Sequence, residues 1–509
     1  MEFEDVITQR MNDYEIKNKE TWAIYGTGKG GKLVFDYFIK NQLTDSMIAF
    51  IDNDDTVEGN KTFCGKEIKK LTDVYSDCDG IIIAAISSHW IIADRIRAFF
   101  NDNNIEFNNI IDIFGYHSNN EVKEYLAYIE KSILKQKNCF IPLTDDHVTR
   151  NQFDPKIIAW YLPQYHEIES NNRIYGKGFT EWTNTTQTIP MFAGHWQPHI
   201  PYDVGYYQLT NTDVFRRQIE LAKKYGLYGF SFYYYWFSGE KIMEKPVDMY
   251  LEDKSLDFPF CLTWATENWT ALWDGGDKEI IFEQKLRDED DQAVINDLIR
   301  YMKDERYICR DGKPLLLVYN VAIFGKKRTE RLLDSFRKTA RENGFSDLYI
   351  MLCNAHGFEE NPKEWGADAL TEFPPHIICN RVSNIIPMGY INPYFRGKIK
   401  DMTGFISNKE YFYKHKTEEY YRGVMTSWDN TARKATNGAT IYTGLNPQTF
   451  KIWLLDVINE GKNKYGENNF VFVNSWNEWA EGSHLEPDAK YGYGFLQSLK
   501  EAIEESRIG

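Results

Sequence analysis

Eight short apolar segments recur between residue 155 and the end of the chain, and helical patterns separate most of them. Each segment is rich in β-branched and aromatic residues, which is typical of a strand buried on both faces in a parallel sheet. One intervening helix is clear, because Asp213 to Tyr225 carries a single apolar stripe and Gly226 follows as a stop. Eight strands alternating with helices predict a (β/α)8 TIM barrel with insertions over residues 155–509. The segments are 157–161, 229–235, 260–264, 315–319, 348–353, 367–370, 423–426 and 470–473.

The last segment breaks abruptly into polar chemistry. Glu478 and Glu481 follow it, interleaved with tryptophans, and Gly482 permits a sharp reversal of the chain. The two glutamates are three residues apart, so a turn places both carboxylates on one face. Paired carboxylates beside indole rings suit glycosidic bond chemistry, in which one donates a proton and the other is a base or nucleophile. Two solvated loop glutamates are the alternative, and the spacing alone does not decide between these interpretations.

A glycine-rich turn near the N-terminus indicates a second, smaller α/β domain. Gly26, Gly28 and Gly31 match G-x-G-x-x-G between a strand and a helical pattern, and the next strand ends in Asp52. This pattern predicts a Rossmann-like doubly wound domain over residues 21–118. A nucleotide or nucleotide-sugar is the ligand that its turn and Asp52 predict, and a purely structural module is the alternative. Before it we expect an N-terminal helix in residues 1–20, and after it a helix (120–136) and linker in residues 119–154.

Composition narrows the classes of partner. The formal net charge of −16 argues against a nucleic-acid or anionic-membrane surface as the main partner. The seven cysteines are scattered without a C-x-x-C pair, so neither a disulfide framework nor a zinc ribbon is predicted. No apolar run of about 18 residues occurs and the first residues do not resemble a signal peptide, so we expect a soluble, cytoplasmic protein.

Five motifs in the C-terminal part resemble, in order, those of the WbsX family. That family is called a glycosyltransferase family and has a domain similar to glycoside hydrolase family 99. The resemblance covers about residues 155–500 and includes several motifs in sequence, so it is specific. The motifs are Trp-Tyr-Leu-Pro-Gln-Tyr-His at 160–166, Gly-Lys-Gly-Phe-Thr-Glu-Trp-Thr-Asn at 176–184, Gly-His-Trp-Gln-Pro-His at 194–199, Trp-Ala-Thr-Glu-Asn-Trp-Thr at 264–270 and Trp-Asp-Asn-Thr-Ala-Arg at 428–433.

The resemblance implies roles for the two glutamates. Family 99 enzymes are (β/α)8 retaining endo-α-mannosidases, and their motif Glu-Trp-His-Glu-Gly is similar to residues 478–482 here. It implies that Glu478 acts as a base on the sugar 2-hydroxyl, which attacks the anomeric carbon to give a 1,2-anhydro sugar, and that Glu481 is the general acid/base. The central His of the family motif is Ala480 in this chain, a departure that concerns the substrate rather than the carboxylate pair.

The strand ends and the motifs together give a set of predicted substrate contacts, since the C-terminal strand ends of a barrel converge on one rim. We expect both catalytic carboxylates to point into an open cleft lined by Trp264, Trp428 and Trp479. The histidines of this set lack the spacing of metal ligands, so no metal is predicted and no cofactor is required. The predicted contacts are Tyr161, Gln164, His166, Trp182, His199, Tyr235, Trp264, Glu267, Asn268, Trp428, Asp429, Asn477 and Trp479.

The sequence therefore predicts a carbohydrate-active enzyme, and the resemblance implies that it acts on an α-linked glycan with retention. The resemblance implies a role in surface-polysaccharide or lipopolysaccharide assembly, with an oligosaccharide or polysaccharide substrate. Hydrolysis and transfer both remain open at this stage. The alternative from another class is a non-catalytic glycan or nucleotide-sugar binding protein, and the intact pair of glutamates argues against it.

Overall fold

The computed structural model describes most of the two predicted α/β units. The described residues are 3–14, 16, 20–52, 61–86, 89–107, 109–115, 139–237, 239–270, 280–284, 287–387, 390–392, 394–435 and 438–508. The predicted helix 120–136 lies outside the described residues, as does the part of the linker before residue 139.

The N-terminal unit is a parallel sheet with helices on both faces. From one edge its strands run Thr62–Phe63, Lys66–Lys69, Met47–Ile51, Trp22–Tyr25, Gly80–Ile83 and Ile110–Asp112, and all neighbours are parallel except the first pair. The chain order reverses on either side of the central strand, which is the predicted doubly wound arrangement. Separate apolar clusters cover the two faces of the sheet. The helices are Phe3–Asp13, Lys29–Lys40, Leu71–Val74 and His89–Asp102.

The C-terminal unit is a closed barrel of eight parallel strands. Each strand pairs with the next in chain order, and the eighth returns to pair with the first. The seventh strand is split, because its first part pairs with the sixth strand and its second part pairs with the eighth. The predicted (β/α)8 barrel is confirmed by this closed pairing. In order, the strands are Lys156–Tyr161, Gly229–Phe237, Phe260–Ala265, Lys313–Val318, Tyr349–Asn354, Ala369–Glu372, Tyr420–Tyr421 with Gly423–Met425, and Phe470–Asn474.

Helices surround the barrel, and most strands are followed by one. The helix Thr212–Lys224 shows why the sequence folds this way, because the Asn211 side chain caps its first turn and Gly226 ends it with a φ of +84°. A 3-10 turn, Pro362–Trp365, takes the place of a helix after the fifth strand. The remaining helices after the barrel strands are Lys245–Glu252, Asp288–Met302, Lys326–Glu342, Thr403–Ser407, Thr431–Lys434, Pro447–Tyr465 and Gly494–Ser506.

Alternation along the first strand decides which side chains reach the barrel interior. Trp160 points inward, where its indole Nε1 donates to the Thr263 hydroxyl at 3.1 Å. Its neighbour Tyr161 points outward and donates its hydroxyl to Gln218 of the helix Thr212–Lys224 at 2.6 Å. Tyr161 is thus buried between strand and helix rather than at the rim.

Two insertions sit over the C-terminal rim of the barrel. The long first loop carries the helices Glu169–Tyr175 and Glu181–Gln187. A small four-stranded sheet collects residues from the loops after the sixth and seventh strands, in the order Asn384–Ile385, Lys398–Asp401, Thr440–Thr443 and Trp428–Asp429. The segment after the strand Asn384–Ile385 contacts the N-terminal unit. Ile386 is buried within an apolar cluster of that unit, and Tyr390 packs against the same cluster.

Candidate active site

A tight hairpin follows the eighth barrel strand and carries both glutamates. Asn477–Glu478 pairs with Ser483–His484, and a 3-10 turn over Trp479–Glu481 connects them. Gly482 closes the turn with a φ of +62°, a conformation that favours glycine. A Cβ at this position would lie 3.1 Å from the ring of His199, which is tighter than most Cβ contacts, so a side chain here would require its neighbours to shift.

One guanidinium joins three carboxylates at this hairpin. Arg433 donates through one terminal nitrogen to both carboxylate oxygens of Glu478 at 3.0 Å, and its other terminal nitrogen lies 2.9 Å from Glu481. The Nε of Arg433 donates to Glu181 at 3.0 Å. Gln164 donates to both oxygens of Glu478 at 2.9 and 3.0 Å. The predicted catalytic pair is therefore held in one ionic cluster, with the additional carboxylate of Glu181 behind it.

Burial dominates the proton affinity of the pair. It raises the pKa of Glu478 to about 8, against the opposing effect of Arg433 and with a further rise from the charge of Glu481. The pKa of Glu481 is raised as well, mainly by burial and against the effect of Arg433. Burial thus favours the protonated form of both members of the pair, although they share a guanidinium.

The pair opens into a cavity of about 340 Å³ at the C-terminal ends of the barrel strands. Seven of the predicted site residues line it together, namely Gln164, Tyr235, Glu267, Asn268, Trp428, Glu478 and Glu481. They come from the ends of the first, second, third, seventh and eighth strands, as the convergence of strand ends in a barrel requires. The other lining residues are Leu162, Tyr233, Phe237, Ala265, Tyr319, His356, Phe373, His376, Asn430, Arg433, Lys434 and Asn474.

Another part of this cavity wall joins the predicted contact Glu267 to three polar residues that the sequence analysis did not assign to the substrate. Glu267 lies 2.5 Å from His356, and the hydroxyl of Tyr319 lies 3.3 Å from His356 and 3.2 Å from His376. These residues follow the third, fourth, fifth and sixth strands closely in sequence. A position just after a strand end is the sequence signal that could have identified these residues as part of the site. Tyr319 and His376 have this signal as clearly as Glu267 does.

The expectation that Trp264 and Trp479 line the cleft is wrong. Trp264 is buried and faces outward against Phe324 and Phe336, because its neighbour Thr263 takes the inward position of the strand. Trp479 is buried in the hairpin, where its ring stacks on the ring of His484 with 3.7 Å between the centroids. Of the three predicted tryptophans, only Trp428 lines the cavity.

Other predicted contacts lie beneath the site and support it. Asn477 accepts from the backbone N–H of Leu162 at 2.8 Å and donates to its carbonyl at 3.0 Å, which ties the hairpin to the first strand. Trp182 donates to the backbone carbonyl of Tyr207 at 2.7 Å. His166 contacts the carbonyl of Pro163 at 2.7 Å. These side chains are buried and outside the lining of the cavity, so they position the loops.

Asp429 and His199 are likewise buried away from the main cavity. Asp429 accepts from Gln197 at 2.7 Å and lies 2.5 Å from His195, which lowers the pKa of its carboxyl to about 2 despite burial. His199 lies 2.9 Å from His484, and burial lowers its pKa well below the usual value. These contacts join the first loop to the hairpin and to the strand that carries Trp428.

The glycine turn of the N-terminal unit is explained largely by packing. A Cβ at Gly31 would lie 1.9 Å from the carbonyl oxygen of Gly26, and Gly26 itself has a φ of +119°. Nothing lies near a Cβ at Gly28. Asp52 accepts a hydrogen bond from the Thr27 hydroxyl at 2.5 Å. Two of the three motif glycines are required without any ligand, and nucleotide binding at Gly26, Gly28, Gly31 and Asp52 stays a prediction.

Comparison with known proteins gives the family. Residues 157–499 match the family model described as Glycosyltransferase WbsX, which spans the barrel and its insertions. The chain belongs to the WbsX glycosyltransferase family. Membership places the barrel among carbohydrate-active enzymes, in agreement with the resemblance of its motifs.

Two relatives in this comparison are described as uncharacterized protein WxcX, from two strains of Xanthomonas campestris pv. campestris. Each is 37% identical over 351 residues, which cover 68% of this chain and 49% of the relative. The chain thus spans about half the length of these relatives.

Solved structures with a similar fold include a glycoside hydrolase-like protein and a GH99 endo-α-mannosidase from Bacteroides thetaiotaomicron. The first is 17% identical, with a TM-score of 0.46, and the match covers 72% of this chain and 99% of that one. The mannosidase is 14% identical, with a TM-score of 0.44, and the match covers 71% of this chain and 99% of that one.

None of the helices in the described parts of the chain has both the length and the apolar character needed to cross a bilayer.

Proposed function

We propose that the barrel cleaves or transfers an α-linked glycosyl unit with retention, using Glu478 and Glu481. The observation that carries this proposal is the placement of both carboxylates on one buried hairpin, at one cavity and on one guanidinium. Two carboxyl groups whose pKa values are raised by burial suit proton transfer near neutral pH. A protein that only binds glycans has no need of such a pair.

The proposed roles follow the family resemblance. Glu478 takes the proton of the sugar 2-hydroxyl as that oxygen attacks the anomeric carbon, and Glu481 gives a proton to the departing oxygen. The product is a 1,2-anhydro sugar. Glu481, now a carboxylate, then takes a proton from water or an acceptor hydroxyl, whose oxygen opens the three-membered ring at the anomeric carbon. Glu478 returns its proton to the 2-oxygen, and the anomeric configuration is retained after two inversions.

The substrate is proposed to be an oligosaccharide or polysaccharide of the cell surface, including lipopolysaccharide. The α-linkage comes from the resemblance to family 99 and accords with the endo-α-mannosidase named above. A cytoplasmic location stays a prediction, as does the sugar itself.

A mass-spectrometric screen of defined α-linked oligosaccharides with the purified chain tests this proposal. We expect at least one substrate to be shortened or extended, and NMR of the fresh product to show the α-anomer. The matched 2-deoxy substrate should be inert, because it lacks the hydroxyl on which Glu478 acts. Efficient turnover of the 2-deoxy analogue would contradict the proposed route, and glycan binding without any turnover would favour a non-catalytic binding protein.

A further inference from the structure

The cavity wall that carries Glu267 contains an acid–histidine pair that the mechanism above does not use. The carboxylate of Glu267 lies 2.5 Å from Nε2 of His356, and Asn320 donates to the same carboxylate oxygen at 3.2 Å. The side chains of Glu267 and His356 are 37% and 39% exposed, which is unusual for this otherwise buried site. Within the described parts of the chain, no hydrogen bond reaches the Nδ1 of His356. The pair thus has capacity for a ligand hydroxyl.

This wall continues through Tyr319 to His376. The Tyr319 hydroxyl lies 3.2 Å from Nε2 of His376, and burial lowers the pKa of His376 to about 4. His376 is therefore neutral near pH 7, so its ring has one nitrogen that donates and one that accepts a hydrogen bond. A wall of a neutral imidazole, a phenol and an acid–histidine pair is suited to sugar hydroxyls, which both donate and accept hydrogen bonds.

A second cavity of about 230 Å³ adjoins the first beyond this wall. His376, Trp428 and Asn430 line both cavities, so the two are adjacent. The outer cavity is completed by Gly357, Pro375, Ile377, Asn380, Thr440 and Tyr442. It therefore lies between the loop after the sixth strand and the small sheet above the barrel rim.

Two non-glycine residues in this region have left-handed backbone conformations. His356 has a φ of +49° and Ile377 a φ of +55°. Such a conformation is rare for any residue with a side chain and is an outlier for a β-branched one. Strained residues of this kind persist where the surrounding structure holds them, and they cluster at ligand-binding sites. His356 lines the first cavity, and Ile377 lines the outer cavity.

The acid–histidine wall and Glu481 line the same cavity. The pKa of the Tyr319 hydroxyl is raised well above its usual value by burial and, to a smaller extent, by the charges of Glu267 and Glu481. The charges of both carboxylates therefore act on Tyr319. Glu478 instead lies beside Gln164, on the side of the first strand. In a retaining reaction, the leaving group and the acceptor occupy the side of the general acid/base.

We propose that the wall formed by Glu267, His356, Tyr319 and His376, with the adjoining outer cavity, is the binding site for a sugar acceptor. This inference rests on the proposed function, because it takes Glu481 as the general acid/base. The acceptor hydroxyl loses its proton to the Glu481 carboxylate while its oxygen bonds to the anomeric carbon and the bond from that carbon to the 2-oxygen breaks. His356 and Glu267 hold the acceptor by hydrogen bonds, and its next sugar unit occupies the outer cavity. The reaction is then transfer to a glycan rather than hydrolysis.

A binding experiment tests the site without requiring turnover. Saturation-transfer difference NMR would be recorded on the full chain with the methyl α-glycosides of glucose, galactose, mannose and N-acetylglucosamine as probes. We expect at least one probe to bind, and His356→Asn and Glu267→Gln each to weaken its binding about tenfold or more, the scale of a lost hydrogen bond to a charged or buried partner. Asn is chosen because it tolerates the left-handed backbone of residue 356.

The outer cavity is tested with the disaccharide form of the probe that binds. Asn380→Trp places a large ring at the exposed edge of that cavity, and Asn408→Trp places one on an exposed helix end that lines neither cavity. We expect only Asn380→Trp to raise the ratio of the disaccharide to the monosaccharide dissociation constant. Absence of binding by every probe, or binding that His356→Asn and Glu267→Gln leave intact, would overturn the proposal.

Turnover provides a second, separate readout. When the reaction found in the oligosaccharide screen runs with the same probe present, we expect the wild-type chain to form a transfer product. His356→Asn should lower the ratio of transfer product to hydrolysis product, and an unchanged ratio would contradict the acceptor role. If the wild-type chain turns over no oligosaccharide, the proposed function fails, while the binding experiment still decides whether the wall binds sugars.

Discussion

The charge balance around Arg433 determines how the two candidate catalytic carboxyl groups hold their protons. The guanidinium lies within 3.0 Å of Glu478, Glu481 and Glu181. Glu181 is fully buried, and one of its carboxylate oxygens has no hydrogen-bond partner among the described residues. Its charge raises the pKa of both members of the pair. Glu181 therefore acts on the pair without lining the cavity itself.

A pH profile tests this account at the level of one residue. The active form needs one proton on the pair, held by Glu481 while Glu478 acts as the base. Burial raises the pKa of both carboxyl groups, so we expect turnover to fall at alkaline pH as the pair loses this proton. Glu181→Gln removes a negative charge that favours protonation, so the fall should move to lower pH. Glu342→Gln, on an exposed helix position, is the matched control and should leave the profile in place. A profile that Glu181→Gln leaves unchanged, or moves to higher pH, would contradict this role.

The sequence was sufficient to predict that the two carboxylates lie together at the strand ends, but not the surroundings of each predicted contact. Glu478 and Glu481 both line the cavity as expected, whereas Trp264 and Trp479 were misplaced. For Trp264, the inward and outward faces of a strand alternate, and a strand that is buried on both faces gives little local signal of which face is which. Arg433 binds carboxylates that are far from it in sequence. Its role in holding them together is therefore seen only in the folded chain.

At the level of elements, the hairpin after the eighth strand is the part whose shape the site depends on most. Gly482 combines a φ of +62° with a Cβ position 3.1 Å from His199 and 3.3 Å from Asp429. Gly482→Ala should therefore destabilise the chain by more than ~1 kcal/mol and lower turnover by displacing Glu481. Gly404→Ala is the control, because Gly404 is helical and nothing lies within 4 Å of its Cβ position.

Thermal unfolding and turnover of the two glycine variants give the comparison. We expect a lower midpoint and lower turnover for Gly482→Ala, and an equal or higher midpoint for Gly404→Ala, since Ala is the better helix former. Equal stability and equal turnover for both variants would show that the hairpin does not need its left-handed residue.

All eight barrel strands and their closure into a barrel were predicted from the sequence, but the split of the seventh strand was not. The seventh strand is interrupted at Arg422, whose side chain donates to Glu372 and Glu460 at 2.6 Å each. Because of this interruption, the part of the seventh strand before Arg422 pairs with the sixth strand, and the part after it pairs with the eighth. A pattern of apolar residues shows where a strand lies, whereas its partners depend on contacts that are distant in sequence. The small sheet above the rim escaped prediction because its strands are short.

At the scale of the whole molecule, the described residues that line the cavity all belong to the barrel and its insertions. The N-terminal unit contacts the barrel through Ile386 and Tyr390 of the small sheet region. Residues before the first barrel strand also pack onto the barrel, since Val148 is part of its core and Arg150 donates to the carbonyls of Gly226 and Pro155. Residues from 148 onward therefore pack with the barrel unit, earlier than residue 155, where the sequence analysis places the start of the barrel.

Two shortened chains test this boundary. A chain that starts at Cys139 keeps the contacts of Val148 and Arg150, and a chain that starts at Asn151 loses them. We expect both to be less soluble than the full chain because Ile386 becomes exposed, and the Asn151 chain to have the lower thermal midpoint. The Cys139 chain should retain turnover on a small substrate. A folded but inactive Cys139 chain would show that the N-terminal unit contributes to the site.

The assignment of Glu478 and Glu481 as the catalytic pair is tested most directly by the turnover of Glu478→Gln and Glu481→Gln on the substrate found in the screen. Each variant removes one ionisable group at nearly constant volume, and circular dichroism establishes that the fold is kept. Glu342→Gln is the control for loss of a glutamate elsewhere. The account predicts that each variant loses about 10²-fold or more in turnover, as expected for removal of a general acid or base, while the control does not. Turnover close to that of the unaltered chain in both variants would contradict it.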